Sequence, residues 1–259
     1  MKIGIHLDCC VGNLPIEKQI RLMKENGFST TFCMANRENV DDVISTVQNA
    51  GIEFENLHAP FRSINAMWEN DEAVAQETLN ELFAAIDTCA RHGIPVLVMH
   101  VSYSNPPAIV TDKGFERYDK LMEYARAQSV TIAYENTKAV GKLITVIERY
   151  EDSGFCWDVG HEFSMTRDLT YMPFLKSKMV ALHLHDNMAQ VGKDLHMIPF
   201  DGIVNMENAA KQLADCGYEK SIMLESIQRV SEKYKDYTPE QFYKCAGEAA
   251  RKFAAMVET

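Results

Sequence analysis

The chain has 259 residues, enough for one large domain or two small ones, and its apolar share is ordinary for a globular protein. The formal net charge of −11 argues against a broad basic face for nucleic acid, although it does not exclude a local patch. No apolar run approaches a membrane span, and the first residues, MKIGIHLDCC, are typical of a strand rather than a signal peptide. Seven scattered cysteines without a CxxC pair predict reduced thiols in a cytoplasmic protein.

Short apolar runs of strand length recur along the whole chain, and most are rich in β-branched or aromatic residues. In chain order they are IGIHLD (3–8), FSTTFCMA (28–35), FENLHAP (54–60), VLVMHVS (96–102), TIAYEN (131–136), FCWDVGH (155–161), MVALHLHDN (179–187) and SIMLES (221–226). Segments with helical spacing lie between them, for example 71–91 and 119–127. A last helix, 239–258, is expected to cover the wall of the fold or to serve a homo-oligomer.

Glycines mark the ends of several helical runs, and each is followed by an apolar residue: Gly27, Gly51, Gly93, Gly154 and Gly217. Glycine stops a helix cheaply because it accepts the left-handed conformation there. The resulting alternation gives eight β-then-α units without a linker, which implies a parallel sheet. Such a set predicts a (β/α)₈ TIM barrel, with residues 1–259 as one domain. A doubly wound open sheet is the alternative, but no GxGxxG follows the first strand.

Polar residues gather where the strands end, the place at which barrel enzymes carry their chemistry. From the third strand onwards they are His58, His100, Glu135, Asp158, His161, His183, His185, Asp186, Asp194, His196 and Glu225. A lone histidine at such a place is usually a hydrogen-bonded structural group. Several carboxylates buried together, however, need a cation to neutralise them. The set therefore predicts a divalent-metal site, and its imidazoles and carboxylates suit zinc, manganese, iron or cobalt.

Six short motifs, in this order and at these strand ends, resemble the xylose isomerase-like barrels. They are HAP (58–60), YENT (134–137), DVGH (158–161), HLHD (183–186), DLH (194–196) and LES (224–226). That superfamily holds sugar isomerases and epimerases together with type IV AP endonucleases. The resemblance implies a metal-dependent sugar isomerase or epimerase that acts on a ketose or related polyhydroxy carbonyl compound. Glutamates would transfer the proton through a metal-stabilised enediolate.

Resemblance to the epimerase branch implies one metal with four ligands: Glu135, Asp158, His183 and Glu225. In the family the ligand on strand seven precedes an acidic residue by three positions. His183 has this spacing to Asp186, whereas His185 does not. Glu135 and Glu225 would be the catalytic pair, since strands five and eight approach a sugar from different sides. The substrate-binding residues implied by the resemblance are His58, His100, His161 and His185.

The alternative is the endonuclease branch, in which nine groups hold three zinc ions. All nine types have a match here: His58, His100, Glu135, Asp158, His161, His183, Asp194, His196 and Glu225. The loops that would hold a duplex carry few cations, mainly Arg62, beside Trp68, and Arg167. We therefore expect a small-molecule sugar as the partner, and neither nucleic acid nor membrane.

Three further patterns bear on the substrate. The segment NMAQVGKD (187–194) lacks an arginine that several ketose epimerases carry after strand seven, which leaves Lys193 as a replacement and counts against a ketohexose epimerase. No P-loop or glycine-rich phosphate cradle supports a phosphorylated substrate. Three aromatic residues are candidates for an apolar wall beside the sugar, with burial in the core as the alternative: Phe61, Trp157 and Phe200.

Overall fold

The computed structural model describes residues 1–10, 12, 14–103, 108–166, 169–188 and 193–259. Its strands are β1 Ile3–His6, β2 Thr30–Met34, β3 Glu53–His58, β4 Val96–Met99, β5 Thr131–Glu135, β6 Gly154–Asp158, β7 Met179–His183 and β8 Ile222–Leu224. Its α-helices are α1 Ile16–Glu25, α2 Val40–Asn49, α3 Glu72–Arg91, α4 Asp112–Ala127, α5 Val140–Arg149, α6 Val159–Met165, α7 Met172–Leu175, α8 Met206–Asp215 and α9 Pro239–Val257. Short 3₁₀ helices occupy Ile64–Trp68, Lys176–Lys178, Gln228–Val230 and Glu232–Tyr234.

The strands form one parallel sheet in which neighbours in sequence are neighbours in space, from β7 back through β1 and on to β8. The ring closes between β7 and β8. There Leu184 N donates to Met223 O at 2.9 Å, and Glu225 N donates to Leu184 O at 3.0 Å. A doubly wound sheet would leave two open edges and a different strand order. The (β/α)₈ barrel is therefore confirmed.

Four of the five glycine signals behave as the sequence predicts. Gly27, Gly51, Gly93 and Gly217 follow helices and have φ values of 84°, 81°, 65° and 68°. The prediction is wrong for Gly154, which begins β6 instead of ending α5. A Cβ atom on Gly154 would lie 2.2 Å from Cγ2 of Val180, so glycine is needed here because β7 approaches closely.

The last helix, α9, has an apolar face that packs against α8, β8 and β1. Its buried side chains include Phe242, Tyr243, Ala246, Ala250 and Phe253. Its start is fixed by a capping box between Thr238 and Gln241. Of the two roles expected for it, this face covers the barrel wall. In the described ranges no helix has the length and apolarity of a membrane span. All seven cysteines are free thiols.

Candidate metal centre

The barrel interior is floored by a cluster of small apolar side chains: Val96, Val98, Ala133, Cys156 and Ala181. Side chains two positions apart on a strand point to the same side of the sheet. In β5, β6 and β7 the residue two positions after this floor is polar: Glu135, Asp158 and His183. The strand period therefore places these three groups inside the barrel, at the carboxyl ends of neighbouring strands.

Four donor groups meet above the floor, and their ligand atoms lie within 4.8 Å of one another: Glu135, Asp158, His183 and Glu225. We call them the central set. His183 Nδ1 lies 2.9 Å from Glu135 Oε1 and 3.5 Å from Glu225 Oε2. Glu135, Asp158 and His183 are fully buried, and the Glu225 side chain is 12 % exposed. These are the four ligands that the resemblance implies for a single metal.

The charges of the central set fit a divalent cation. Burial and the carboxylates of Glu135 and Asp158 raise the pKa of Glu225 well above its usual value. Burial acts in the same direction on Glu135, yet His183 and His100 hold the pKa of that carboxyl well below its usual value. Glu225 Oε2 accepts no hydrogen bond from a described residue. Three carboxylates and one imidazole within ligand distance of one another form a donor set that suits a metal such as zinc or manganese.

Two further donor sets adjoin the central one. In the first, His58 Nε2 and His100 Nε2 lie 3.0 and 2.8 Å from Glu135 Oε2, the oxygen that faces away from His183. The second consists of His161, His185, Asp194 and His196. Asp194 Oδ2 lies 2.9 Å from His161 Nε2 and 3.0 Å from His196 Nε2. The structure thus brings together every residue that the sequence analysis assigned to a metal.

The two histidines of HLHD have different surroundings. His183 belongs to the central set, whereas His185 Nε2 lies 3.1 Å from Asp158 Oδ1 and its ring stacks on His196 at 4.2 Å. A Cβ atom on Gly160 would lie 2.0 Å from His185 Cε1, which explains the glycine of DVGH. This geometry agrees with the assignment of the metal to His183, which stays a prediction.

Asp186 is a structural residue rather than a ligand. Its carboxylate accepts hydrogen bonds from Asn187 N at 2.8 Å, Gly202 N at 2.9 Å and Val204 N at 2.9 Å. These bonds tie together the start and the end of the loop after β7. The acidic residue three positions after His183 therefore holds the loop that carries Asp194.

A cavity of about 560 Å³ opens above the centre. Six lining residues belong to the predicted site: His58, His100, His161, Asp194, His196 and Glu225. His185 is fully buried and is not among the lining residues, so in this structure it contacts Asp158 instead of the space for a substrate. Of the four predicted substrate contacts, His185 is thus the one that does not line the cavity and contacts a predicted metal ligand, Asp158, instead.

The remaining lining residues were mostly not anticipated: Met34, Phe61, Ser102, Tyr103, Thr137, Lys138, Ala139 and Met165. Phe61 does form the wall expected of it, with its ring stacked on His100 at 4.7 Å. Trp157 instead lies in the core at 1 % exposure and donates to Glu162 Oε2. Thr137, Lys138 and Ala139 directly follow the YEN of the β5 motif, but the strand period does not assign residues beyond the strand end to the cavity.

Other sequence signals fall away from the cavity. Phe200 packs under the ammonium of Lys252 at 3.7 Å, outside the cavity lining. Lys193, the suggested replacement for the epimerase arginine, borders a different depression beside Lys233. Arg167 lies outside the described residues.

A sequence model of the xylose isomerase-like TIM barrel matches residues 20–244. The chain belongs to this family. Among curated proteins, this xylose isomerase-like barrel is similar to the uncharacterized protein y4fM of Sinorhizobium fredii, with 24% identity over 255 residues, 82% of this chain and 81% of the relative.

Solved structures share the fold of this xylose isomerase-like barrel. D-psicose 3-epimerase from Clostridium cellulolyticum H10, solved with D-tagatose, superposes with a TM-score of 0.79 over 100% of both chains at 14% identity. The IolI protein with a bound zinc atom gives a TM-score of 0.77 over 100% of this chain and 98% of that one, at 16% identity. At these identities the comparison establishes the barrel fold alone.

Proposed function

We propose that this xylose isomerase-like barrel is a divalent-metal-dependent sugar isomerase or epimerase for a ketose or related polyhydroxy carbonyl compound. The observation that carries the proposal is the pair of carboxylates, Glu135 and Glu225, whose oxygens lie 2.9 and 3.5 Å from His183 Nδ1. Solved relatives by fold include D-psicose 3-epimerase and L-ribulose 3-epimerase, which supports this reaction class. Residues 1–259 would act as one domain.

The central set would hold the metal, and its identity among zinc, manganese, iron and cobalt is left open by the ligand types. When bound, such a cation supplies a Lewis acid for the carbonyl oxygen and an adjacent hydroxyl of the substrate. His58 and His100 both contact Glu135 Oε2, so they fix the orientation of this carboxylate. His185 positions Asp158 in the same way, with Nε2 3.1 Å from Asp158 Oδ1.

The placement of Glu135 and Glu225 on separate strands supports a role in proton transfer at a sugar carbon. They end β5 and follow β8, which are separated by two strands around the ring. One carboxylate removes the proton beside the carbonyl, and the other returns a proton on the opposite face, which gives epimerisation. Return of the proton to the neighbouring carbon gives aldose–ketose isomerisation. His161 lines the cavity and would orient a substrate hydroxyl.

The test is solvent deuterium exchange into a ketose by metal-loaded protein. Glu135→Gln and Glu225→Gln should each slow the exchange by a factor of about 100 or more, because general acid–base groups contribute at least this much. Glu162→Gln is the matched control, since Glu162 is partly buried nearby and bonds Trp157 outside the central set. Metal content of each variant separates lost proton transfer from lost metal. Unchanged exchange in both active-site variants contradicts the proposal.

The second candidate is phosphodiester hydrolysis at a trinuclear zinc centre, as in the type IV AP endonucleases. It is favoured by one observation: the central set adjoins two more donor sets, and Glu135 is shared between the first of these and the centre. Metal content discriminates between the candidates. Three zinc ions per chain together with incision of an abasic duplex support hydrolysis, whereas one ion together with deuterium exchange into a ketose supports the isomerase.

A further inference from the structure

The lining of the cavity above the metal centre contains one lysine beside four histidines and two carboxylates. Lys138 is the one lysine or arginine among the described residues that line it, and it follows Glu135 by three positions. Some exposed lysines of the protein have carboxylate partners, such as Lys113 with Glu72 at 2.8 Å. The ion pairs of the described residues do not include Lys138. Its ammonium is therefore available to a bound molecule.

The backbone around Lys138 also favours an anion. Helix α5 begins just after it, and its N-cap residue, Ala139, has no side chain that accepts a hydrogen bond from the first turn. That turn contains no acidic residue. The free N–H groups at a helix start carry partial positive charge. They add to the charge of Lys138 at the same side of the cavity, which Ala139 also lines.

The other residues that line the cavity favour one orientation of a bound substrate. Glu225 and Asp194 belong to the donor sets that would hold the metal and, in this proposal, the carbonyl end of the substrate. Phe61 and Tyr103, whose ring centres are 4.9 Å apart, form an aromatic wall suited to the C–H face of a sugar. If the carbonyl end of the substrate points to the donor sets, its other end lies near Lys138, where a negative charge would be favourable.

We propose that the substrate is a ketose that carries an anionic group, a carboxylate or a phosphate, and that Lys138 binds this group. The proposal rests on the sugar isomerase or epimerase function proposed above and narrows its substrate class. Lys138 is then a specificity-determining residue that distinguishes acidic sugars from neutral ones. No glycine-rich cradle is needed, because a single lysine and a helix start supply the positive charge.

The experiment compares three substrates on metal-loaded protein: a neutral ketose, the same ketose with a terminal phosphate, and the same ketose with a terminal carboxylate. The kcat/KM for deuterium exchange should be about tenfold higher for an anionic form, the effect of one hydrogen bond to a charged group. Lys138→Met should abolish this preference, and Lys138→Arg should retain most of it. The anionic form with the higher kcat/KM shows whether the group bound by Lys138 is a phosphate or a carboxylate.

Lys142→Met is the matched control, because it removes the same charge one helical turn further along α5 and away from the cavity lining. It should leave the preference unchanged. A wild-type protein without preference, or a preference that survives in Lys138→Met, overturns the proposal.

Calorimetry with an unreactive polyol phosphate and polyol carboxylate keeps this test independent of turnover. Wild-type protein should bind one of them about tenfold more tightly than Lys138→Met does. Equal binding overturns the role of Lys138 even if exchange is active. Absence of exchange with every ketose, accompanied by Lys138-dependent binding, instead contradicts the isomerase function alone.

Discussion

His6 ends β1 with an imidazole that the sequence motifs did not include. The residue is 8 % exposed, its ring packs against Phe32 at 4.7 Å, and Nδ1 has no hydrogen-bond partner among the described residues. Burial lowers the pKa of His6 to about 3, although the carboxylate of Asp8 acts in the opposite direction. His6 is therefore neutral in the folded protein at physiological pH.

This lowered pKa predicts a loss of stability in mild acid. Unfolded histidine takes up a proton near pH 6.5, whereas folded His6 does not until about pH 3. The contribution of His6 to the free energy of unfolding is thus fully present above the unfolded pKa, and it decreases as the pH drops below that value. Between about pH 7 and about pH 5.5 the loss should be about 1 kcal/mol. Urea unfolding of wild-type protein and His6→Phe at both pH values measures it.

The pH-dependent loss of stability in His6→Phe is subtracted from the loss in wild-type protein. Both proteins contain the other histidines, so the effect of their titration cancels. His6→Phe keeps a ring against Phe32 and removes the titrating group. The variant should lose about 1 kcal/mol less than wild-type protein over the same pH interval. Identical losses in the two proteins contradict the buried neutral state of His6.

At the residue scale, most of the candidate site could be predicted because strand ends are readable in sequence. Glu135, Asp158 and His183 fall at the ends of apolar runs, and the strand period turns them inward. Lys138 and Met165 could not be predicted in this way, because their place depends on how a loop or helix continues past the strand. Trp157 lies between Cys156 and Asp158 on β6, so the same strand period turns it to the outer side of the sheet, where it is buried in the core.

At the element scale, the segment after β7 is held by one buried carboxylate. Asp186→Ala removes the acceptor for the amides of Asn187, Gly202 and Val204. The cost should be about 3 kcal/mol in the free energy of unfolding, because buried donors are left without partners. Asp186→Asn should cost less, since its oxygen retains two of the three bonds. Urea unfolding of both variants measures the difference.

The same two variants test whether the segment supports the second adjoining donor set. Asp194 and His196 lie on it, so the metal bound there should decrease more in Asp186→Ala than in Asp186→Asn. Leu195 N donates to Asn187 Oδ1 at 2.8 Å, which couples the anchored end to these donors. Full stability of Asp186→Ala would show that other contacts hold the segment.

Element boundaries were predicted less well than element types. Helix α4 begins at Asp112, seven residues before the apolar spacing of 119–127 indicates it. Its first turn is set by a polar signal, the Thr111 side chain that accepts from Gly114 N at 3.1 Å. Gly154 shows the opposite case, in which a glycine read as a helix end is required by the contact with Val180.

At the scale of the whole molecule, a bound metal should stabilise the barrel. The donor sets join β3 through β8, and the unfolded chain does not assemble them. Free metal at a thousand times its Kd adds about 4 kcal/mol, and chelation should lower Tm by about 8 °C for a chain of this length. His183→Ala should show a smaller shift. An unchanged Tm in protein shown to release its metal would contradict this linkage.

The barrel closure between β7 and β8 has a consequence for the centre. The two hydrogen bonds of Leu184 that close the ring lie directly between His183 and Glu225, both members of the central set. A cation bound by these side chains would link the ends of β7 and β8 at the place where the ring closes. Opening of the two Leu184 hydrogen bonds and dissociation of the ion would then be coupled. The rate at which the amide protons of Leu184 and Glu225 exchange with solvent reports both.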